Sequence, residues 1–158
     1  MCAGWTSALC GKLKEEPDVG QVGCLGGLLE ADGTGSYTNF GYDVDYIMGW
    51  CFCMRREDYK KHGLFDETLR FAYFEDADLS LRLKSLGYKL YAFHDSLVHH
   101  YGNKTLASVD IDLVETIRFN HATFRERWQE YLGSKRVKAP RKPRIWGSPG
   151  VPRKITQA

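Results

Sequence analysis

Three carboxylates fall within four residues at Glu75-Asp76-Ala77-Asp78, flanked by Phe74 and Leu79. Leucine recurs at 79, 83 and 86 and the stretch closes at Gly87, so residues 75–86 read as a helix with the acids in its first turn. Steps of three and four residues place Glu75, Asp78 and Arg82 on one face, where Asp78 and Arg82 can pair. Asp76 lies about 100° from its neighbours in that row, without an intrahelical cation and free to point into an adjoining cleft. The positive end of the helix dipole favours its ionised form. Asp76 is therefore expected to be deprotonated at neutral pH and able to take a proton from a hydroxyl held beside it. The same acids also suit a helix start with no chemistry attached, and on the motif alone that plainer role carries more weight.

His99-His100-Tyr101-Gly102 forms a second polar group. Adjacent residues of an extended chain point to opposite sides, so one histidine at most reaches a given site. A single imidazole with distant carboxylates suits a divalent transition metal, although spacing by itself favours a surface or hydrogen-bonded histidine. Three Asp-x-Asp triplets occur, at 43–45, 76–78 and 110–112. Such triplets can hold a cation that bridges a diphosphate, but the first enters an apolar run and the last lies in a helical pattern, so neither is assigned to metal. No phosphate-binding loop, nucleophile elbow or His-Glu-x-x-His is present.

The elements that must position these residues alternate. Trp5, Leu9 and Leu13 give residues 4–16 the stripe of an amphipathic helix, stopped by Pro17-Asp18. Residues 21–29 read as a buried glycine-rich strand, 31–34 as a turn, and 44–54 as a fully buried strand. A short helix over 56–62 ends at Gly63, followed by an irregular aromatic stretch over 64–74. A strand over 88–93 comes after the acidic helix, then one more short strand around Leu97 and Val98 within a polar loop. Residues 108–132 read as a helix with a stripe of Ile111, Val114, Ile117 or Arg118, Phe124 and Trp128. The fold class expected is α/β.

With 158 residues, 43% hydrophobic and 27% charged, the chain has material for one core and one appendage. Uncharged stretches fall short of the roughly 20 apolar residues of a membrane span, and the first residues lack the pattern of a secretory signal. Charge is unevenly spread. Residues 133–158 hold eight Lys or Arg and no acid, while residues 1–132 hold 14 basic and 20 acidic side chains, a net of −6. The Pro- and Gly-rich basic segment reads as a flexible tail, either solvated or in contact with phosphates of nucleic acid or an anionic membrane. Five cysteines without paired Cys-x-x-Cys spacing read as small buried hydrophobes in a reducing compartment.

The order of motifs resembles the C-terminal half of family 2 glycosyltransferases, of the rhamnosyltransferase-like branch. The resemblance runs from Gly4-Trp5 to about Trp128. It is carried by residues 17–23, Asp32-Gly33-Thr34, residues 44–49 leading to Arg55-Arg56-Glu57, residues 63–67, residues 73–82, Gly87-Tyr88 and His100-Tyr101-Gly102. It implies a GT-A, Rossmann-like fold and inverting transfer from a nucleotide sugar to a glycan or lipid-linked acceptor. Asp76 would then be the catalytic base and Glu75 would shape the acceptor site. Gly49, Trp50, Asp45 and Arg82 would belong to substrate binding, with Arg82 and Asp78 also bracing the helix. His100, ahead of His99, would lie near the diphosphate or its metal. Trp50 departs from the small residue usual after that glycine.

In the family, a nucleotide-binding half and its Asp-x-Asp precede the segment that Gly4-Trp5 matches. The chain is therefore expected to lack that half and to be weak or inactive alone, with magnesium or manganese bound only if a partner chain supplies the triplet. The site implied is cytoplasmic, at a membrane periphery if the tail docks there. The rival expectation is a non-catalytic module that uses the basic tail to bind nucleic acid or an anionic membrane.

Overall fold

Trp5, Leu9 and Leu13 recur one turn apart, and the chain coils there as α1 (Trp5–Glu15), burying both leucines against Val19 and Val22. The structure is a computed structural model that describes residues 4–94, 98–102 and 108–135. Past Pro17 the chain extends into β1 (Val19–Gly23), buried throughout. The single strand expected over 21–29 is in fact divided. A bend at Cys24 ends β1, and β2 (Gly26–Leu29) resumes in a different sheet. Glycine permits this crossing, because a Cβ on Gly23 would stand 2.1 Å from Ile47 and one on Gly26 would stand 2.5 Å from Val44. The turn at 31–34 forms as expected, with Asp32 Oδ1 accepting from the Thr34 N–H at 2.9 Å, and leads into β3 (Gly35–Asn39).

The fully buried strand expected over 44–54 is corrected to two short ones, β4 (Tyr46–Ile47) and β5 (Phe52–Cys53), and β5 is half-buried. The run is apolar because it spans two sheets: β4 pairs with β2, and β5 pairs with β1. Next come α2 (Arg56–His62), which ends at Gly63, then α3 (Glu75–Ser85) and β6 (Lys89–Ala92). One sheet has the order β5-β1-β6, antiparallel to β5 and parallel to β6; the other, β3-β2-β4, is antiparallel.

Helix α3 lies at the centre. Leu79 and Leu83 pack with Val44, Ile47, Leu90 and Ala92, while Ala77 and Leu81 pack with Leu29, Phe124 and Leu132. Each of the three leucines contributes roughly 2 kcal/mol by burial. Ser80 ties the helix to both sheets, its Oγ accepting from the Ile47 N–H at 3.0 Å and donating to Gln21 Oε1 at 2.8 Å.

The helix expected over 108–132 is two, α4 (Leu113–Arg127) and α5 (Gln129–Ser134), with Trp128 between them. Asp112 caps α4 by accepting from the Glu115 N–H at 2.9 Å. The expected stripe is corrected as well. Ile111 and Val114 are exposed, and the buried face is Thr116, Asn120 and Phe124. The described residues thus form a mixed α/β architecture of five helices and two small sheets. Among them no helix is long and apolar enough to cross a membrane. The body reaches past residue 132, since Lys135 pairs with Asp45. Residues 136–158, with most of the basic tail, and Leu97 of the expected short strand lie outside the described residues; Val98 is not in a strand.

Candidate active site

The approach to α3 is strained. Ala72, Tyr73 and Phe74 take φ values of 67°, 70° and 74° in succession, a conformation that costs a residue with a side chain about 1–2 kcal/mol. Asn120, fully buried on α4, holds it. Its Oδ1 accepts from the Arg70 N–H at 2.7 Å, and its Nδ2 donates to the carbonyls of Arg70, Ala72 and Tyr73 at 2.9, 2.9 and 3.0 Å. The backbone polar groups of this turn therefore find their partners in one side chain from a distant helix.

Asp76 follows two residues later. Its Oδ2 accepts from the Gly49 N–H at 2.8 Å and its Oδ1 from the Ala77 N–H at 2.8 Å. Each oxygen is fixed by one backbone donor and keeps a lone pair. Gly49 favours this close approach, because a Cβ would stand 3.1 Å from Asp76 Cβ and force that neighbour to give by a few tenths of an ångström. Burial pushes the Asp76 carboxyl above its ordinary value, and the backbone N–H groups of Gly49, Ala77 and Asp76 itself only partly oppose it. The net direction is opposite to that expected from the helix terminus alone, and it makes the ionised form a stronger base. Glu75 is also raised, first by burial and then by the charge of Asp76, and its Oε2 is buried with no hydrogen-bond partner among the described residues.

Both carboxyls line a cavity of about 820 Å³, within the range of small-molecule sites. Its walls are aromatic. Trp50 stacks on His100 with ring centroids 4.7 Å apart and planes within 5°. Phe71, Tyr73 and Tyr101 stand at the rim, all exposed, and Tyr46 and Met48 line the cavity with them. Burial, with the charges of Asp76 and Asp45, pushes the Tyr46 hydroxyl up to about 12, so it remains a donor at neutral pH.

Asp76, Glu75, Gly49, Trp50 and His100 all line this cavity. Asp45 and Arg82 do not join them. Asp45 accepts from the Leu29 N–H at 2.7 Å, from the Tyr131 hydroxyl at 2.5 Å and from Lys135. Burial alone would raise its pKa, but these donors outweigh it and hold the carboxyl below the usual range. Asp45 therefore fastens α5 to the sheet and is not among the residues that line the cavity. Arg82 donates to Asp78 at 2.9 Å and to the carbonyls of His62 and Leu64. Asp78, fully buried, also accepts from Arg127 at 2.7 Å and from the Trp128 indole at 3.0 Å. The Asp78–Arg82 pair expected from spacing is present, and Arg82 is not among the residues that line the cavity. His100 shares the cavity, but among the described residues no three His, Cys, Asp or Glu side chains are grouped to hold a metal ion.

No protein-family model, curated protein or solved structure matches the chain. Sequence reasoning passed over Tyr46, Phe71, Tyr73 and Asn120. The aromatic density of 64–74 directly before an acidic helix start was a usable signal for two of them. For Asn120 the only trace was an uncharged polar residue four positions from Thr116 and from Phe124.

Proposed function

We propose that the chain is the acceptor-side half of an inverting family 2 glycosyltransferase with a GT-A fold. The observation that supports this best is the Asp76 carboxylate, held by one backbone N–H on each oxygen at the wall of an aromatic cavity. The acceptor hydroxyl gives its proton to Asp76 while its oxygen bonds to the anomeric carbon. The bond from that carbon to the leaving diphosphate breaks on the opposite face, which inverts the centre. Trp50, Phe71 and Tyr73 line the cavity as aromatic surface for the apolar side of a sugar, and Glu75, when neutral, donates a hydrogen bond to the acceptor. The nucleotide belongs to a separate half, joined ahead of Gly4 or supplied by a partner chain. On this reading a divalent cation would be held there too.

The test joins the chain to a nucleotide-binding half of the family and incubates it with a panel of nucleoside-diphosphate sugars and acceptor glycans. Resolving the anomeric configuration of the product should give inversion. A protein that transfers no sugar, yet binds nucleic acid or anionic vesicles with steep salt dependence, would favour the tail-based binding module instead.

A further inference from the structure

Cysteines gather where α1, the end of β1 and β5 meet. Cys24 continues the antiparallel register of Val22 with Cys53 and Gly23 with Phe52, so it stands opposite Cys51. The Cys24 N–H donates to the Cys51 carbonyl at 3.2 Å, and the Cys24 thiol donates to Cys51 Sγ at 3.4 Å. Both are free thiols. Directly opposed antiparallel residues have Cα atoms about 4.5–5.5 Å apart, inside the span of about 4.4–6.8 Å that a disulfide bridges. Side-chain rotation alone can close the gap. Exposure is unequal, with Cys24 buried at 3% and Cys51 half-buried, so Cys51 is the nearer of the two to solvent.

We propose that Cys24 and Cys51 form a dithiol modification site that a peroxide converts reversibly to a disulfide. The site stands apart from the sugar-transfer reading and does not depend on it. The Cys51 thiolate attacks peroxide: an S–O bond forms, the O–O bond breaks, and the departing hydroxide takes a proton to become water. Sulfur loses two electrons to the peroxide and becomes a sulfenic acid. Cys24 then attacks the Cys51 sulfur, forming the S–S bond as the S–O bond breaks, and its proton leaves with the hydroxide as a second water. Burial, with the hydrogen bond to Cys51, pushes the Cys24 thiol up to about 12, which disfavours it as the sulfur that meets peroxide; its attack in the second step rests on its contact with Cys51 Sγ. The bond would tie the end of β1 to the turn that carries Gly49, the donor to Asp76.

The test treats the reduced full chain with hydrogen peroxide, alkylates the remaining thiols, and digests with an Asp-directed protease and chymotrypsin, whose cuts at Trp50 and Phe52 separate Cys51 from Cys53. Two of the five thiols should be lost. The Cys24 and Cys51 peptides should be joined and two hydrogens lighter, and dithiothreitol should restore both. Cys51→Ser should keep all its thiols under the same treatment. Alkylation of both Cys24 and Cys51 in the treated wild type would overturn the proposal. So would a link between Cys10 and Cys53 in place of theirs, or over-oxidation of Cys51 while Cys24 stays free.

Discussion

Replacing Asn120 with alanine removes the side chain that holds three consecutive left-handed residues in place. Four hydrogen bonds at 2.7 to 3.0 Å are lost, each contributing about 0.5–1.5 kcal/mol net. Three carbonyls share two N–H hydrogens, so the sum lies nearer the middle of that range than its top. The loop recovers part of this by relaxing, since Ala72, Tyr73 and Phe74 together store about 3–6 kcal/mol of backbone strain. The expected cost is about 2–4 kcal/mol, read as a lower guanidinium midpoint at unchanged slope. Asn120→Asp should cost nearly as much, because it keeps the acceptor for the Arg70 N–H but turns a carboxylate toward three carbonyls. A loss under about 1 kcal/mol in Asn120→Ala would refute the clamp, since it would leave the strained turn without support and yet intact.

Ala72→Gly should leave stability unchanged or raise it by up to about 1 kcal/mol, whereas Ala72→Val should lower it, because only the second adds a branched Cβ at positive φ; thermal melts of the two compare them directly. Asp78→Ala should cost about 3 kcal/mol in chemical denaturation, at the low end for a buried pair because the Arg82 and Arg127 side chains, 27% and 30% exposed, can turn to water. Asp45 has a lowered folded pKa, so its contribution is present above its ordinary value of 3.8 and is lost as pH falls through the folded value. Asp45→Asn should therefore flatten the acid limb of a stability profile. Glu75 has the opposite sign: its folded pKa is raised, so stability is lost as pH rises through it. Glu75→Gln should raise the thermal midpoint near pH 8 and leave it unchanged near pH 3, where both side chains are neutral.

Helices whose apolar residues recur with one period were legible in the sequence, as α1 and α3 were, and so were the glycines that close α2 and α3. The pairing of Asp78 with Arg82 followed from spacing alone because both partners lie on one element. What crossed between elements was not legible. Residues 44–54 are apolar because they serve two sheets in turn, a cause that hydrophobicity cannot distinguish from one long strand. Asp45 looked available for substrate because its donors, Leu29, Tyr131 and Lys135, are distant in sequence. The direction of the Asp76 shift was missed for the same reason, since burial by a cavity wall is a tertiary property while a helix terminus is a local one.

The most direct measurement compares wild type with Asp76→Asn, each joined to the nucleotide-binding half, in sugar transfer as a function of pH. The wild-type kcat/KM should rise through an acid limb centred above the ordinary aspartate value of 3.8. Asparagine has a single acceptor oxygen and can keep the Gly49 or the Ala77 N–H but not both, so the comparison is made on a variant whose fold is verified by circular dichroism. Transfer should nevertheless fall by about 10²–10⁴, with the acid limb gone. Wild-type turnover in a folded Asp76→Asn protein, or an unaltered acid limb, would contradict the assignment of the base.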